Sequence, residues 1–289
     1  MLRGRRAGFL AACALAAAAG VLAGCGGGSQ AAALDPVAAA ATKTQHAGAA
    51  RIRYTLAITA PRLPGGTVRI NGNGVIDGTS GLVDFDLGSA LQAAGVPAGS
   101  SIREISLKQG ADYVIYVKLG ALASRIPGGK QWLELDLSKL GSSAGIDLNQ
   151  LLSGSRLQPA DVLSTLETED ASVRKVGSEK VDGTATTHYR VTVDLARALE
   201  AKGLTSPLLA GIAAELPSVP EDVWIGSDGL VRRIKLSYGL QHQGRSMRMA
   251  LSMDIYDYGV DVTIAAPPSN QVFDATELAQ QRLGSAFGN

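Results

Sequence analysis

The stretch Arg51-Ile52-Arg53-Tyr54-Thr55-Leu56-Ala57-Ile58 decides the fold. Its even positions are apolar and its odd positions mostly polar. Side chains of an extended backbone alternate between faces, so this is a half-buried strand, one face on a core and the other in water. The pattern returns along the chain. Val83, Phe85 and Leu87 share a face within Leu82–Leu87. Tyr113, Ile115, Val117 and Leu119 oppose Asp112 and Lys118. Leu133, Leu135 and Leu137 oppose Glu134 and Asp136. Tyr189, Val191, Val193 and Leu195 oppose His188, Arg190, Thr192 and Asp194. Ile234, Leu236, Tyr238 and Leu240 oppose Arg233, Lys235 and Ser237, and Met247, Met249, Leu251, Met253 and Ile255 form the last long apolar face.

Asp77-Gly78, Asp182-Gly183 and Asp228-Gly229 supply hairpin turn chemistry between consecutive strands. Strands joined by short turns are antiparallel, and a sheet with one apolar face is covered on that side only. About ten strands are expected, near the limit at which an open sheet curls. Gly72 and Gly74 predict a bulge or bend that helps it do so.

The covers are short helices. Asp35-Pro36 reads as an N-cap followed by proline at the first helical position, opening an alanine-rich helix over Val37–Ala47. Further helical stretches are predicted at Ser89–Ala94, Leu119–Arg125, Asp147–Leu152, Pro159–Leu166, Leu195–Lys202 and Pro207–Leu216. They interrupt the meander in blocks, which argues for an α+β fold: a large curved antiparallel sheet, a half-barrel, with helices packed on its concave apolar face.

The amino end reads as a lipoprotein signal. Arg3, Arg5 and Arg6 precede an apolar run over Phe9–Leu22, too short for a comfortable membrane span, and Leu22-Ala23-Gly24-Cys25 fits a lipobox. Residues 1–24 are thus a cleavable signal peptide, Cys25 the lipidated (diacylglyceryl, palmitate-type) residue, 25–34 a Gly/Ser-rich tether and 35–289 a single domain. This places the mature protein on the extracytoplasmic face of the cell membrane, anchored by lipid; a monomer is expected. Cleavage moves the formal charge from +1 to −2, because three arginines leave and no acid does. Such a near-neutral chain gives no reason to expect nucleic-acid binding. Cys13 leaves as well, so the domain holds no disulfide.

Three stretches resemble the LppX/LprG family of actinobacterial lipoproteins, whose half-barrel is shared with the lipoprotein carriers LolA and LolB. They are Gly177–Gly183 running into Thr187–Asp194, Val223–Arg233, and Tyr258-Gly259-Val260 leading to Ala266-Pro267-Pro268. They read as structural joints: a hairpin, a strand pair around a turn, and a closing strand. The resemblance implies a protein that holds acyl chains of a lipid or glycolipid between sheet and helices and carries them in the envelope. The high alanine and glycine content fits an actinobacterial origin.

No catalytic constellation is visible, so the expectation is a non-enzyme without cofactor or metal. His46 lies near a helix end, His188 on a polar strand face and His242 beside a Gly-rich turn. His188 and Asp194 stand about 20 Å apart along one strand. No His-x-x-x-His, paired cysteines or Gly-x-Ser-x-Gly occurs, and Asp84 and Asp86 alternate on a solvated face. The functional candidate is therefore the apolar face itself. Its ligand-lining candidates are Tyr54, Leu56, Phe85, Tyr113, Ile115, Val117, Leu133, Leu135, Tyr189, Val191, Leu236, Tyr238, Met249, Leu251 and Met253. Small Ala, Gly and Ser residues in the facing helices leave room, and the methionines adapt to a flexible ligand. The alternative is an envelope binding or sensor module with a filled core, whose convex face, at Arg190 or Arg233, meets a partner.

Overall fold

The computed structural model describes residues 28–61, 63, 65–78, 80–87, 100–110, 112–143, 171–201, 207–242 and 245–287. Cys25, the signal segment and the helical stretches expected at 89–94, 147–152 and 159–166 lie outside them.

One sheet dominates. Its strands are β1 (Ala50–Thr59), β2 (Thr67–Asp77), β3 (Ser80–Asp86), β4 (Ser101–Gln109), β5 (Asp112–Lys118), β6 (Trp132–Asp136), β7 (Ala171–Val181), β8 (Thr184–Asp194), β9 (Ser218–Gly226), β10 (Val231–His242), β11 (Arg245–Tyr256) and β12 (Val272–Asp274). They stand in the order 12-6-5-4-3-2-1-11-10-9-8-7, unclosed at both edges. Two meanders, β1–β6 and β7–β11, therefore meet along the single pairing of β1 with β11, which runs from Arg51–Tyr256 to Thr59–Arg248. The expected turns are present: Gly78 has positive φ, and Asp182 and Gly183 both do in the two-residue β7–β8 hairpin. The Gly226–Leu230 turn is closed by backbone bonds and by Asp228 Oδ1 accepting from the Leu230 amide.

Twelve strands replace the expected ten, and one pairing is not antiparallel. β12 lies parallel to β6, because the chain leaves β11 and crosses the sheet before pairing. This crossing corrects the closing strand expected around Tyr258–Pro268: Tyr258 and Gly259 form a turn whose Gly259 amide donates to the Ala49 carbonyl, and residues 260–268 join no ladder. Pro267 and Pro268 have no N–H to give a ladder. Ile264 of the crossing packs on Ile105, Val114, Tyr116 and Trp132, and so covers the face opposite to Tyr113, Ile115 and Val117. At β4–β6 the sheet is apolar on both sides.

Among the described residues the helices are α1 (Gly28–Gln45), α2 (Leu137–Ser143), α3 (Leu195–Ala201), α4 (Pro207–Glu215) and α5 (Thr276–Phe287). α1 starts earlier than Asp35, within the stretch expected as tether, and Pro36 lies inside it. Ala31, Ala32 and Ala33 are the strongest helix formers available, and continuing through Pro36 forfeits a single backbone bond. Leu137 opens α2 instead of ending β6, since Asp136 Oδ1 caps the Ser138 and Lys139 amides. The stretch at Leu119–Arg125 forms a 3-10 helix over Gly120–Arg125.

Gly72 and Gly74 make no bulge: β2 pairs in unbroken register with β1 and β3. They provide close approach instead. A Cβ on Gly74 would lie 2.2 Å from the Leu82 carbonyl oxygen, and one on Gly72 would meet the Phe85 ring at 2.9 Å. The sheet bends sharply toward that face, letting Tyr54 of β1 meet Phe85 of β3 edge-on across β2, with centroids 5.6 Å apart. The register shifts fall at Lys175–Gly177 and Val231–Arg233. Gly74→Ala is expected to destabilise the fold by about 3 kcal/mol through overpacking against backbone, read as a drop of several degrees in thermal midpoint.

Candidate functional site

Register puts all fifteen lining candidates on one face of the sheet. Tyr54 pairs with Met253 and, across Gly72, lies in line with Phe85. Leu56 pairs with Leu251, Leu251 with Leu236 and Tyr238 with Met249. Val223 links Tyr189 to Ile234, and Val191 stands opposite Glu221. Val117 pairs with Leu133 and Ile115 with Leu135, while Tyr113 follows two residues before on β5. Directly opposed residues share a face, so these pairs form one apolar surface.

That surface has two halves. At one end α1 seals it. Val37, Ala40, Ala41 and Thr44 recur at i, i+3, i+4 and i+7, and the first three pack with Ile52, Val191, Val223, Ile234, Met253 and Ile255. Alanines let the helix sit close. The Thr44 hydroxyl accepts from the Val231 amide at 3.0 Å, and the Tyr258 hydroxyl donates to the Val231 carbonyl. Burial pushes the Tyr258 hydroxyl well above its ordinary value. Beyond this seal the floor is partly open. Tyr54, Leu56, Phe85, Tyr113, Ile115, Val117, Leu133, Leu135, Leu236, Tyr238, Met249 and Leu251 are all half-buried, whereas Val191 and Met253 belong to the sealed half. A recess of about 320 Å³ opens beside α1, lined by Ala39, Ala40, Lys43, Thr187, Tyr189 and Ile225.

The curvature brings distant strands together. Burial first, then Glu104 of β4 and Tyr238 of β10, push the Tyr54 hydroxyl above its ordinary range. In a flat sheet these strands would stand three and two places from β1. Glu104 and Glu221 were not anticipated by sequence reasoning. Both face the apolar side, Glu104 opposite Val83 and Val117 and Glu221 opposite Leu236 and Val191. For Glu221 a signal existed: it occupies the apolar phase of Val219, Val223 and Ile225. For Glu104 it was hidden, because Ile105 and Leu107 invert the pattern under the C-terminal crossing. Glu221 is 2% exposed, and its Oε1 has no partner among the described residues. Desolvation, with a smaller push from Asp222, raises its carboxyl to about 8. Burial alone raises Glu104.

The opposite face is an ion-pair ladder. Arg190 holds Asp222 through two bonds of 2.9 and 3.0 Å, and His188 Nε2 lies 2.8 Å from the same carboxylate. Burial pushes Asp222 up, but those hydrogen bonds outweigh it and hold the carboxyl below its ordinary value. His188 stacks on Trp224 at 4.2 Å, and the Trp224 indole donates to Glu179. Arg233 and Arg53 both bond Asp254. Arg190 and Arg233, the convex-face candidates for partner contact, are thus already engaged. Asp84 is held by Arg103 through bonds of 2.7 and 2.8 Å. Among the described residues no group of three potential metal ligands occurs, and no helix is long and apolar enough to cross a membrane.

No family model matches the chain. An uncharacterised 31.2 kDa protein of Streptomyces griseus is 28% identical over 226 residues, which are 72% of this chain and 68% of that protein. Among solved structures, the chain is similar in fold to the lipoprotein LppX of Mycobacterium tuberculosis, with TM-score 0.46 and 16% identity over 82% of this chain and all of that one. LprF of Mycobacterium bovis follows at TM-score 0.40 and 15% identity, covering 82% of this chain and 98% of its own. A LolA-superfamily protein of Nitrosomonas europaea matches at 0.29 and 11%, covering 81% and 97%.

The buried carboxyl makes a sign-definite prediction. Glu221 keeps its proton to higher pH in the folded chain than in the unfolded one. The native state therefore binds more protons between the ordinary carboxylate range and about pH 8, and stability falls as pH rises through that window. Glu221→Gln should match the parent at pH 4 and exceed it at pH 9, by on the order of 5 kcal/mol at most. Urea unfolding at both pH values checks this, and an unchanged pH slope contradicts it.

Proposed function

We propose that this chain is an envelope lipoprotein, anchored through acylated Cys25 on the outer face of the cytoplasmic membrane. It binds the acyl chains of a lipid or glycolipid on the concave face of the sheet, without catalysis, and carries or presents that lipid in the envelope. The observation that carries the reading is the floor beyond α1: a contiguous apolar surface, curved inward and only half-buried.

Its dimensions suit hydrocarbon. From Leu133 on β6 to Leu236 on β10 the surface crosses eight strands, about 34 Å around the curve at ordinary strand spacing. Burial of a sixteen-carbon chain is worth roughly 12 kcal/mol against water, and withdrawal from a bilayer costs nearly as much. A carrier therefore works near balance and needs only a dry surface of sufficient length. The ion pairs on the other face of β1 and β8–β11 keep that side hydrated there, and the C-terminal crossing covers the outer apolar cluster of β4–β6, which supports the concave face as the apolar site. The lipobox supports the anchor.

Native mass spectrometry and solvent extraction of protein purified without detergent should recover bound lipid. Leu251→Glu, within the half-buried floor between Leu56 and Leu236, should lower the recovered lipid at least tenfold with circular dichroism unchanged. Repeated recovery of lipid-free parent protein contradicts the proposal.

A further inference from the structure

Among the described residues, four strands run on beyond the pairing of their neighbours as a lip. Pairing of β2 with β3 stops at Asn71–Asp86, and pairing of β10 with β9 stops at Leu236–Glu221. β1, β2, β10 and β11 stay paired with one another out to Thr59–Thr67, Thr59–Arg248 and His242–Arg245. β10 thus extends over Ser237–His242, about 20 Å, beyond its last β9 partner.

Register splits this lip into two unlike faces. Ile58, Val68, Ile70, Tyr238, Met247 and Met249 continue the apolar floor outward, and all are half-buried. The other face carries Arg69 opposite Ala57 and Arg248 opposite Thr59, one on each side of β1. Both arginines are exposed, and neither has an ion pair among the described residues. This contrasts with Arg53, Arg103, Arg190 and Arg233, each held by an aspartate. No acid is near in sequence to neutralise them, since residues 50–76 and 229–253 contain no Asp or Glu. At the tip a recess of about 430 Å³ is lined by Thr59, Ala60, Pro61, Gly66, Met247 and Arg248.

We propose that this lip docks on an anionic phospholipid surface. Its apolar inner face meets the acyl boundary while Arg69 and Arg248 bind lipid phosphates. A projecting edge that is greasy inside and cationic outside, with an acid in register only at its base, where Asp86 stands opposite Asn71, matches the sign and layering of such a bilayer. The inference rests on the lipid-binding reading of the floor, since the lip leads from that floor to the membrane and gives the ligand a continuous apolar path.

The mature domain has no cysteine beyond the acylated Cys25, so Ser246→Cys at the exposed tip takes a single environment-sensitive label. The acylated, labelled chain is reconstituted into vesicles of phosphatidylcholine, alone or with one quarter phosphatidylglycerol, containing spin-labelled phospholipid. The anchor holds the protein at the surface in both cases, so quenching of the label reads the lip. Quenching should be at least fivefold stronger with phosphatidylglycerol, and R69E/R248E should abolish that difference with circular dichroism unchanged. Quenching indifferent to phosphatidylglycerol and to charge reversal overturns the proposal. So does weak quenching with a cross-linked dimer, which would assign this end of the sheet to a second copy. Lipid recovered from the same R69E/R248E protein should equal the parent's. If the parent holds no lipid yet quenching follows charge, the floor reading fails and the lip stands; if lipid is bound but quenching ignores charge, the lip alone fails.

Discussion

The pairing of β1 with β11 holds this molecule together. Each strand ends a meander, and their ladder turns two six-strand and five-strand units into one surface. It joins residues some two hundred positions apart, so it is also the contact whose closure entropy is greatest and whose formation is expected late. Its convex side is clamped by Asp254, which lies in register with Arg53 on β1 and Arg233 on β10 and bonds both. A carboxylate only 8% exposed is tolerable here because two guanidiniums satisfy it.

Everything on the concave side follows from how that seam is bent. The two glycines of β2 remove the side chains that would keep β1 and β3 apart, and Phe85 takes the space above Gly72. Tyr54, Phe85, Glu104 and Tyr238 then converge from strands that a flat sheet would separate. The alanine stripe of α1 fills the space at one end, and a helix of larger residues would stand off. Small residues thus serve close packing at the sealed end and curvature at the centre, and the half-buried aliphatic floor lies beyond both. A surface built this way grips by shape and dryness more than by hydrogen bonds.

Two carboxyls on that floor depart from this economy. Glu221 is buried without a partner for one oxygen, and Glu104 is pushed toward its neutral form by burial. Three acids of the sheet's outer face show the ordinary solution, Asp84, Asp222 and Asp254 each being held by an arginine. On the convex side the arginines of the seam and of β8 are each held by an aspartate, whereas Arg69 and Arg248 at the projecting end have no ion pair among the described residues.

Residue alternation alone determined most of the local structure. Period-two runs located the strands, Asp-Gly pairs located three turns, and the shared phase of Tyr54, Leu56, Leu236, Tyr238, Met249 and Leu251 put them on one face, because side-chain direction on a strand is set by parity. Tertiary structure decided what parity cannot reach. Ile105, Val114 and Tyr116 lie in the opposite phase to the floor and are nonetheless buried, since the C-terminal crossing covers them from far along the chain. The role of Gly72 and Gly74 depended on the neighbouring strand's Phe85 and Leu82, and α1 ran through Pro36 because alanine propensity and packing together outweigh one lost hydrogen bond. Which half of the apolar face is sealed, and which strands project past their neighbours, are properties of register and helix docking. They arise from contacts between distant segments, and no local pattern in a linear sequence encodes them.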